Sequence, residues 1–314
     1  MDVRLPIVVG TRGSPLAIAQ TRHVCDLLVA AHPALGEDGA LVTETITTSG
    51  DRFVDRPLAE IGGKGLFTKE IEEALKDGRI DLAVHSMKDV PTWLPEGLEI
   101  AAIPEREDPR DVLIARAGPS PRGLADLPQG ARVGTGSLRR QAQILAHRPD
   151  LDVVPMRGNV GTRMRKVADG AADATLLALA GLKRLGERVD GIAVLEPAEM
   201  LPAVGQGALG IECRTGDERM QELLRPIVDA VATAALQCER ALLEVLDGSC
   251  RSPIAGLAVA DDWGGLRLDA LIARVDGSVC HRIERAGAMA DAAAIGRDAG
   301  AALRAAGGPD WFES

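Results

Sequence analysis

Short apolar runs that end in a glycine-rich turn and lead into a helical pattern recur along the chain. The first run, 6–9, is followed by Gly10-Thr11-Arg12-Gly13-Ser14-Pro15 and then by apolar residues at helical spacing up to Leu28. Serine is a favoured N-cap and proline a favoured first helical residue, so we expect a helix from Pro15. The same order returns at 132–141, with Ser137 as the expected cap, and at 153–162, with Asn159 as the expected cap. Strands that alternate with helices in this way predict parallel sheets in an α/β fold.

A further apolar run, 81–84, passes directly into polar side chains. These are His85, Ser86, Lys88 and Asp89. In open α/β sheets, ligands bind beyond the carboxyl ends of the strands, so this turn is a candidate site. An ordinary strand followed by a solvated turn is the competing interpretation.

Changes in local composition predict the domain boundaries. Residues 104–111 are charged and bracketed by prolines, and 200–212 form a glycine-rich turn that leads into a strand, so we expect a crossing between domains at each. The pattern beyond 225 predicts a long helix, two strands and an alanine-rich final helix. We therefore predict domain 1 at 1–104 and 204–224, domain 2 at 105–203, and a small α+β domain 3 at 225–314, with a cleft between the first two.

Overall composition excludes several classes of protein. The net charge of −10 over 314 residues argues against general binding to nucleic acid, and no apolar run approaches the length of a membrane span. The first residues lack a basic segment followed by a long apolar one, so we expect no secretory signal. The five cysteines show neither C-x-x-C pairing nor zinc spacing, which predicts free thiols, no metal site and a cytoplasmic location.

A basic cluster stands out against this acidic background. Residues 131–170 hold eight arginines and lysines against three acids. Several of these cations fall in the first turn of a predicted helix, where positive charge is unfavourable without an anionic partner. The pattern indicates a polyanionic ligand in the second domain. Arginine suits carboxylates through its planar fork, and phosphate is the rival ligand.

Two loops carry further candidate chemistry. The glycines around Lys64 suggest a nucleotide phosphate loop, but Gly65 follows the lysine where serine or threonine is required, which argues against a nucleotide-dependent enzyme. Cys250 lies in a predicted turn that follows the long helix, and a loop cysteine is the one most available for covalent chemistry. A small buried turn residue is the alternative interpretation of Cys250.

Seven segments of distinctive residue content occur in order between about residues 5 and 256. They are Thr11-Arg-Gly-Ser-Pro-Leu-Ala, Gly62-Gly-Lys-Gly-Leu-Phe, His85-Ser-Met-Lys-Asp-Val-Pro, Gly134-Thr-Gly-Ser-Leu-Arg-Arg, Arg157-Gly-Asn-Val-Gly-Thr-Arg, Ala180-Gly-Leu-Lys-Arg-Leu and Pro202-Ala-Val-Gly-Gln-Gly-Ala. Together they resemble the porphobilinogen deaminase (hydroxymethylbilane synthase) family.

That resemblance implies a transferase with a covalent dipyrromethane cofactor, which the enzyme assembles from its own substrate and links through a thioether to Cys250. The family adds four porphobilinogen units head to tail, with loss of ammonia at each addition. Hydrolysis then releases 1-hydroxymethylbilane for tetrapyrrole biosynthesis. The first two domains are expected to resemble the lobes of a type II periplasmic-binding-protein fold with mostly parallel sheets.

The matching motifs also imply roles for individual residues. Asp89 is the expected catalytic residue. The expected cofactor-binding residues besides Cys250 are Lys88, Thr135, Ser137, Arg139, Arg140, Arg157, Arg184 and Gly207. The expected substrate-binding residues are Arg12, Ser14, Lys64, Phe67, Arg157, Arg163 and Gln206.

One alternative function is a non-catalytic protein of the two-lobed solute-binding architecture that captures a small anion. It predicts an export signal or a fused DNA-binding helix pair, and the sequence shows neither. It also does not explain why the chain has a cysteine at position 250 on a predicted loop, or why it has a third domain. We therefore expect an enzyme that acts on porphobilinogen as a monomer, away from nucleic acid and membranes, with hand-over of the product to the next pathway enzyme.

Overall fold

Two five-stranded sheets and one three-stranded sheet form the framework of the described part of the chain. The computed structural model describes residues 5–52, 65–116, 121–187, 192–246, 253–308 and 311. These residues divide into two compact units. Within the described ranges, unit 1 takes residues up to 107 together with 208–233, and unit 2 takes 108–207 together with 234–311.

The helices and strands follow one another in the alternating order that the sequence predicts. Up to residue 107 they are β1 (Ile7–Arg12), α1 (Pro15–Ala31), β2 (Leu41–Ile46), α2 (Ser49–Arg52), α3 (Lys69–Lys76), β3 (Leu82–Ser86) and β4 (Leu98–Ala102). From 108 to 207 they are β5 (Asp111–Ala115), β6 (Arg132–Thr135), α4 (Leu138–His147), β7 (Asp152–Pro155), α5 (Val160–Ala168), β8 (Ala174–Ala178), α6 (Leu179–Leu185) and β9 (Ile192–Val194). The remainder are β10 (Leu209–Arg214), α7 (Glu218–Leu224), α8 (Ala230–Leu246), β11 (Ile254–Ala260), β12 (Gly265–Ala273), β13 (Cys280–Ala288) and α9 (Ala292–Gly307).

The sheet of unit 1 is mostly parallel. Its strand order is β2-β1-β3-β10-β4. Strand β1 runs parallel to β2 and β3, with Val9 opposite Leu82, whereas β10 runs antiparallel to both β3 and β4. The reversed strand is therefore the one through which the chain re-enters unit 1. The parallel arrangement confirms the prediction from the alternating strands and helices.

Helices cover both faces of this sheet, which explains the uninterrupted apolar run of β3. Successive side chains of a strand point to opposite faces. Leu82 and Val84 accordingly pack with α1 and α7, and Ala83 packs with α3. A strand that is buried on both faces needs apolar residues at every position rather than at alternate ones.

The sheet of unit 2 follows the same plan. Its order is β7-β6-β8-β5-β9, in which β6 runs parallel to β7 and β8 and only β5 is antiparallel to its two neighbours. Leu113 packs on the face covered by α4, and Val112 and Ile114 pack on the face covered by α5 and α6. Here too the reversed strand is the one through which the chain enters the unit.

The three-stranded sheet of unit 2 is antiparallel and comes from the C-terminal part of the chain. Helices α8 and α9 pack on one of its faces. Side chains of the other face, including Ala255 and Leu271, pack with Ala142 of α4 and with Leu201. Helix α4 is therefore buried between the two sheets of unit 2.

The structure confirms the α/β class, the mostly parallel sheets and a small C-terminal region of strands and helices. It also confirms the predicted caps, because Ser14, Ser137 and Asn159 each accept a backbone N–H three residues ahead. The sequence pattern does not predict α2, β9 or α7, and it predicts two strands where the C-terminal sheet has three. The three domain boundaries stay a prediction. None of the helices in the described ranges is long and apolar enough to cross a membrane.

Candidate active site

A 3-10 turn at the carboxyl end of β3 presents Asp89. The turn covers Met87–Asp89 and is held by hydrogen bonds from the Met87 N–H to the Ala208 carbonyl (3.1 Å) and from the Val90 N–H to the Met87 carbonyl (3.3 Å). Met87 and Val90 are buried, so they anchor the turn on both sides, and Asp89 between them is exposed. The sequence therefore placed this carboxylate correctly beyond the strand.

His85 differs from the polar side chains that follow it. It belongs to β3, is buried, and its Nε2 lies 2.9 Å from Oε2 of Glu212, which is also buried. Burial raises the pKa of the nearby Glu72 carboxyl, and the charge of Glu212 raises it further. The sequence analysis grouped His85 with the exposed turn and did not single out Glu72. The structure instead assigns His85 to a buried pair that joins β3 to β10.

Arg12 is the last residue of β1 and Ser14 lies two residues beyond it. The carboxyl end of β1 lies at the same edge of the sheet as that of β3 because the two strands are parallel. The Ser14 hydroxyl accepts the Ala17 N–H at 3.2 Å and thus caps α1. The Arg12 guanidinium stacks on the Phe67 ring, 4.1 Å from the ring centroid. Lys64, the other candidate of this unit, lies outside the described residues.

In unit 2, a fully buried carboxylate organises the candidate arginines. Asp111, at the start of β5, accepts hydrogen bonds from Arg139 (2.8 Å), Arg140 (2.8 Å) and the Gln206 amide (2.8 Å). The two guanidinium groups also donate to the carbonyls of Leu201 (2.6 Å) and Leu176 (2.7 Å). All these side chains are buried.

Asp111 changes the interpretation of the basic cluster. Arg139 and Arg140 occupy the first turn of α4, where the sequence predicts an anionic partner. Their partner is a carboxylate of the protein that lies outside the basic segment. These two cations therefore do not by themselves require a ligand. One signal in the sequence could have located Asp111: an acid at the first position of an otherwise apolar strand.

The positive charge in this region nevertheless exceeds what Asp111 neutralises. Three guanidinium nitrogens are buried and have no hydrogen-bond partner among the described residues: Arg140 Nε, Arg157 Nη1 and Arg163 Nε. Burial and the charge of Arg140 lower the pKa of Arg163 to about 10, against the opposing effect of Asp111. Arg163 is thus still a cation at neutral pH. Buried donors of this kind are rare in proteins and fit an anionic ligand.

The remaining candidates of unit 2 mainly support this region. Thr135 Oγ1 accepts the Ser137 N–H at 3.1 Å, and the Ser137 hydroxyl caps α4. Arg184 donates to the Gly207 carbonyl at 2.7 Å. Gln206 donates to the Pro109 carbonyl (2.7 Å) as well as to Asp111, so it joins the two ends of the chain segment that belongs to unit 2. Cys250 lies outside the described residues.

Comparisons with known proteins agree on one family. A family model for the dipyromethane cofactor binding domain of porphobilinogen deaminase matches residues 7–222, and one for the C-terminal domain of the same family matches residues 233–305. A chloroplastic porphobilinogen deaminase of Oryza sativa subsp. japonica is 51% identical over 98% of this chain and 86% of its own length. A porphobilinogen deaminase of Syntrophobacter fumaroxidans is 50% identical over 95% of this chain and 94% of its own length.

Likeness to solved structures is weaker. A probable amino-acid ABC transporter extracellular-binding protein from Bacillus subtilis is 11% identical over 72% of this chain and 90% of that chain, with a TM-score of 0.42. A periplasmic aliphatic sulphonate binding protein from Escherichia coli is 15% identical over 76% of this chain and 69% of that chain, with a TM-score of 0.40.

The Asp111 network predicts a pH-dependent loss of stability in Asp111→Asn. Burial alone would raise the pKa of Asp111, but the charges and hydrogen bonds of Arg139 and Arg140 outweigh it and hold this pKa well below its usual range. Because the folded-state pKa is depressed, the stabilisation is complete above the unfolded-state pKa of about 4 and is lost as pH falls below it. We expect a cost of about 3–5 kcal/mol at pH 7, measured by urea unfolding.

The control is Asp152→Asn, which removes an exposed acid 3.7 Å from Arg132 in the same unit. It should change the free energy of unfolding by less than about 1 kcal/mol. The difference in the free energy of unfolding between the wild type and Asp111→Asn should become smaller between about pH 4 and pH 3. A difference that stays constant over that interval would show that the carboxylate charge is not the source of the stability.

Proposed function

The chain belongs to the porphobilinogen deaminase family, and from this membership we propose which of its residues carry the family's reaction. The protein is a transferase of tetrapyrrole biosynthesis that joins four porphobilinogen molecules on a dipyrromethane cofactor and releases 1-hydroxymethylbilane. A non-catalytic anion-binding protein is not favoured, since relatives of about 50% identity over nearly the whole chain are deaminases.

The observation that best supports our assignment of the binding site is a set of three buried guanidinium nitrogens, on Arg140, Arg157 and Arg163, which have no hydrogen-bond partner in the part of the chain that the structure describes. Each pyrrole of the cofactor and of the substrate carries an acetate and a propionate. Carboxylates are the anions that match the planar fork of arginine. The residues of unit 2 therefore fit a dipyrromethane group, and the cofactor supplies the primer to which porphobilinogen is added.

We propose that Arg140 and Arg157 bind cofactor carboxylates, and that Arg157 and Arg163 bind those of the substrate. Arg139 and Arg184 add positive charge to this proposed binding region of unit 2. Their guanidinium groups also donate hydrogen bonds to the Leu201 and Gly207 carbonyls, respectively. In unit 2, Thr135, Ser137, Gln206 and Gly207 are further proposed binding residues. In unit 1, we assign Lys88 to cofactor binding, and Arg12 with Phe67, Ser14 and Lys64 to the binding of substrate carboxylates.

Asp89 is the proposed catalytic residue. Porphobilinogen becomes a cation when ammonia leaves, and the pyrrole that attacks becomes a cation in its turn. A fixed carboxylate accepts hydrogen bonds from pyrrole N–H groups and stabilises each positive charge as it develops. The exposure of Asp89 on a turn anchored by buried Met87 and Val90 supports this role, because the carboxylate is held at a fixed position and is still accessible.

We propose further that Cys250 carries the cofactor, and that the enzyme works as a cytoplasmic monomer which hands its product to the next enzyme of the pathway. The four cysteines in the described ranges, Cys25, Cys213, Cys238 and Cys280, are free thiols. Burial raises the pKa of both Cys213 and Cys238 to about 12, which makes these two thiols unreactive at neutral pH. Free thiols fit a reducing compartment.

The cofactor assignment predicts the intact mass of the denatured protein. Protein expressed with substrate available should exceed the mass of its sequence by two substrate-derived pyrrole units, and Cys250→Ala should lack that excess. Cys280→Ala removes an exposed cysteine and serves as the control, which should keep the excess. An excess retained in Cys250→Ala would place the attachment on another residue. No excess in the wild type would contradict the covalent cofactor.

The role of Asp89 predicts a loss of turnover without a loss of fold. In Asp89→Asn, kcat should fall by at least about 100-fold, because the amide cannot stabilise a developing cation. The thermal midpoint should stay unchanged, since the side chain is exposed. Asp89→Glu keeps the charge but displaces it and should retain part of the activity. Equal kcat values in the two variants would argue against an electrostatic role.

The partnerless nitrogen of Arg163 predicts a specific loss of substrate affinity. Arg163→Gln should raise the KM for porphobilinogen by about 10- to 100-fold, the effect of one lost charged hydrogen bond. Arg165→Gln, in the same helix but exposed, is the matched control and should leave KM within about twofold of the wild type. Similar KM values in the two variants would remove Arg163 from the binding site.

A further inference from the structure

The Phe67 ring contacts both the Arg12 guanidinium and the backbone of Gly50. Arg12 stacks on the ring at 4.1 Å from its centroid. A Cβ atom added to Gly50 would overlap the ring carbons Cε1 and Cδ1 of Phe67, and it would lie 2.9 Å from the Leu66 carbonyl oxygen. The bare backbone at position 50 is therefore the surface against which the ring rests.

This close approach, rather than backbone conformation, is what requires glycine at position 50. Gly50 is not among the glycines with positive φ, and it lies in the short helix α2. An alanine could therefore adopt the same backbone conformation without strain. Only the ring of Phe67 and the neighbouring carbonyl oppose a methyl group there.

Hydrogen bonds hold the Gly50 backbone in its place beside the ring. The Gly50 N–H donates to the Leu66 carbonyl at 2.7 Å. One residue earlier, the Ser49 N–H donates to Oε1 of Glu70 at 2.9 Å, and the Ser49 hydroxyl donates to the same oxygen. Glu70 belongs to the first turn of α3, which begins just after Phe67. The backbone of Gly50 is thus tied by hydrogen bonds to the segment that carries the ring.

A guanidinium whose central carbon lies this close over an aromatic ring is attracted to the face of the ring. The position of the ring therefore helps to set where the Arg12 donors are presented to a ligand. We infer that Gly50 is a positioning residue for substrate binding, which acts on Arg12 through the Phe67 ring. This inference rests on the proposed function, in which Arg12 binds a carboxylate of porphobilinogen.

The test is steady-state kinetics of the holoenzyme with Gly50→Ala. The methyl group should displace the ring and with it the guanidinium, so the KM for porphobilinogen should rise about tenfold while kcat changes by less than about twofold. Gly36→Ala adds the same methyl group elsewhere in unit 1, where the nearest atom, Val29 Cγ1, lies 3.3 Å away. This control should keep the KM of the wild type.

A second variant separates positioning through the ring from a general structural effect. Phe67→Leu removes the ring edge that the new methyl group would meet. The double variant Gly50→Ala with Phe67→Leu should therefore have the KM of Phe67→Leu alone. If the two substitutions instead raised KM independently, so that their effects multiplied in the double variant, the inference would be overturned. A Gly50→Ala variant with a lower thermal midpoint but an unchanged KM would overturn it as well. Failure of the proposed function itself would be recognised separately, because the wild type would then not turn over porphobilinogen.

Discussion

The buried carboxylate of Asp111 is the interaction on which the structure of unit 2 depends. Removing an ion from water costs several kcal/mol, and a buried ion pair recovers this only when its remaining donors and acceptors are satisfied. Here two guanidinium groups and an amide satisfy the carboxylate, and backbone carbonyls take other N–H groups of the arginines. The network joins the start of β5, the first turn of α4 and the segment around Gln206. Three stretches that are distant in sequence thereby acquire one fixed geometry.

The same network determines what else this region can bind. One carboxylate faces three buried or nearly buried cations, those of Arg139, Arg140 and Arg163, so the balance of charge stays positive. An uncompensated cation in a low-dielectric environment attracts an anion far more strongly than a cation in water does. The polyanion binding that we propose for unit 2 thus rests on an incomplete internal neutralisation, and not on the number of arginines in the segment.

Unit 1 contributes acidic side chains of two kinds. An exposed carboxylate, Asp89, follows β3, and two buried acids, Glu212 and Glu72, lie near His85 within the unit. A reaction that passes through cationic species while it handles a chain of carboxylates needs both acidic and basic side chains. When the acidic and the basic side chains belong to different sheets, they do not have to form ion pairs with one another. The roles that we propose for Asp89 and for the arginines of unit 2 therefore fall on two different sheets.

The sequence predicts what is local and misses what depends on tertiary contacts. Caps and strands were recognisable because their signals lie within a few neighbouring residues. Strand β13 was missed because its charged, half-exposed residues lack an apolar pattern, and β9 has only three residues. The partner of Arg139 lies 28 residues away, and that of His85 lies 127 residues away. Both pairs depend on how distant segments come together in the folded chain, which no local pattern encodes.

One ambiguity of the sequence analysis is resolved by the chemistry of the hydroxyl group. Ser14 and Ser137 were predicted both as helix caps and as binding residues, two roles that seem to compete for one side chain. As caps, they accept a backbone N–H through a lone pair of the oxygen. A hydroxyl that accepts in this way keeps its own proton, which it can donate to a carboxylate. Capping also fixes the side-chain rotamer, so the donor is already oriented when an anion arrives. Capping a helix is thus compatible with the binding role that we propose for Ser14 and Ser137.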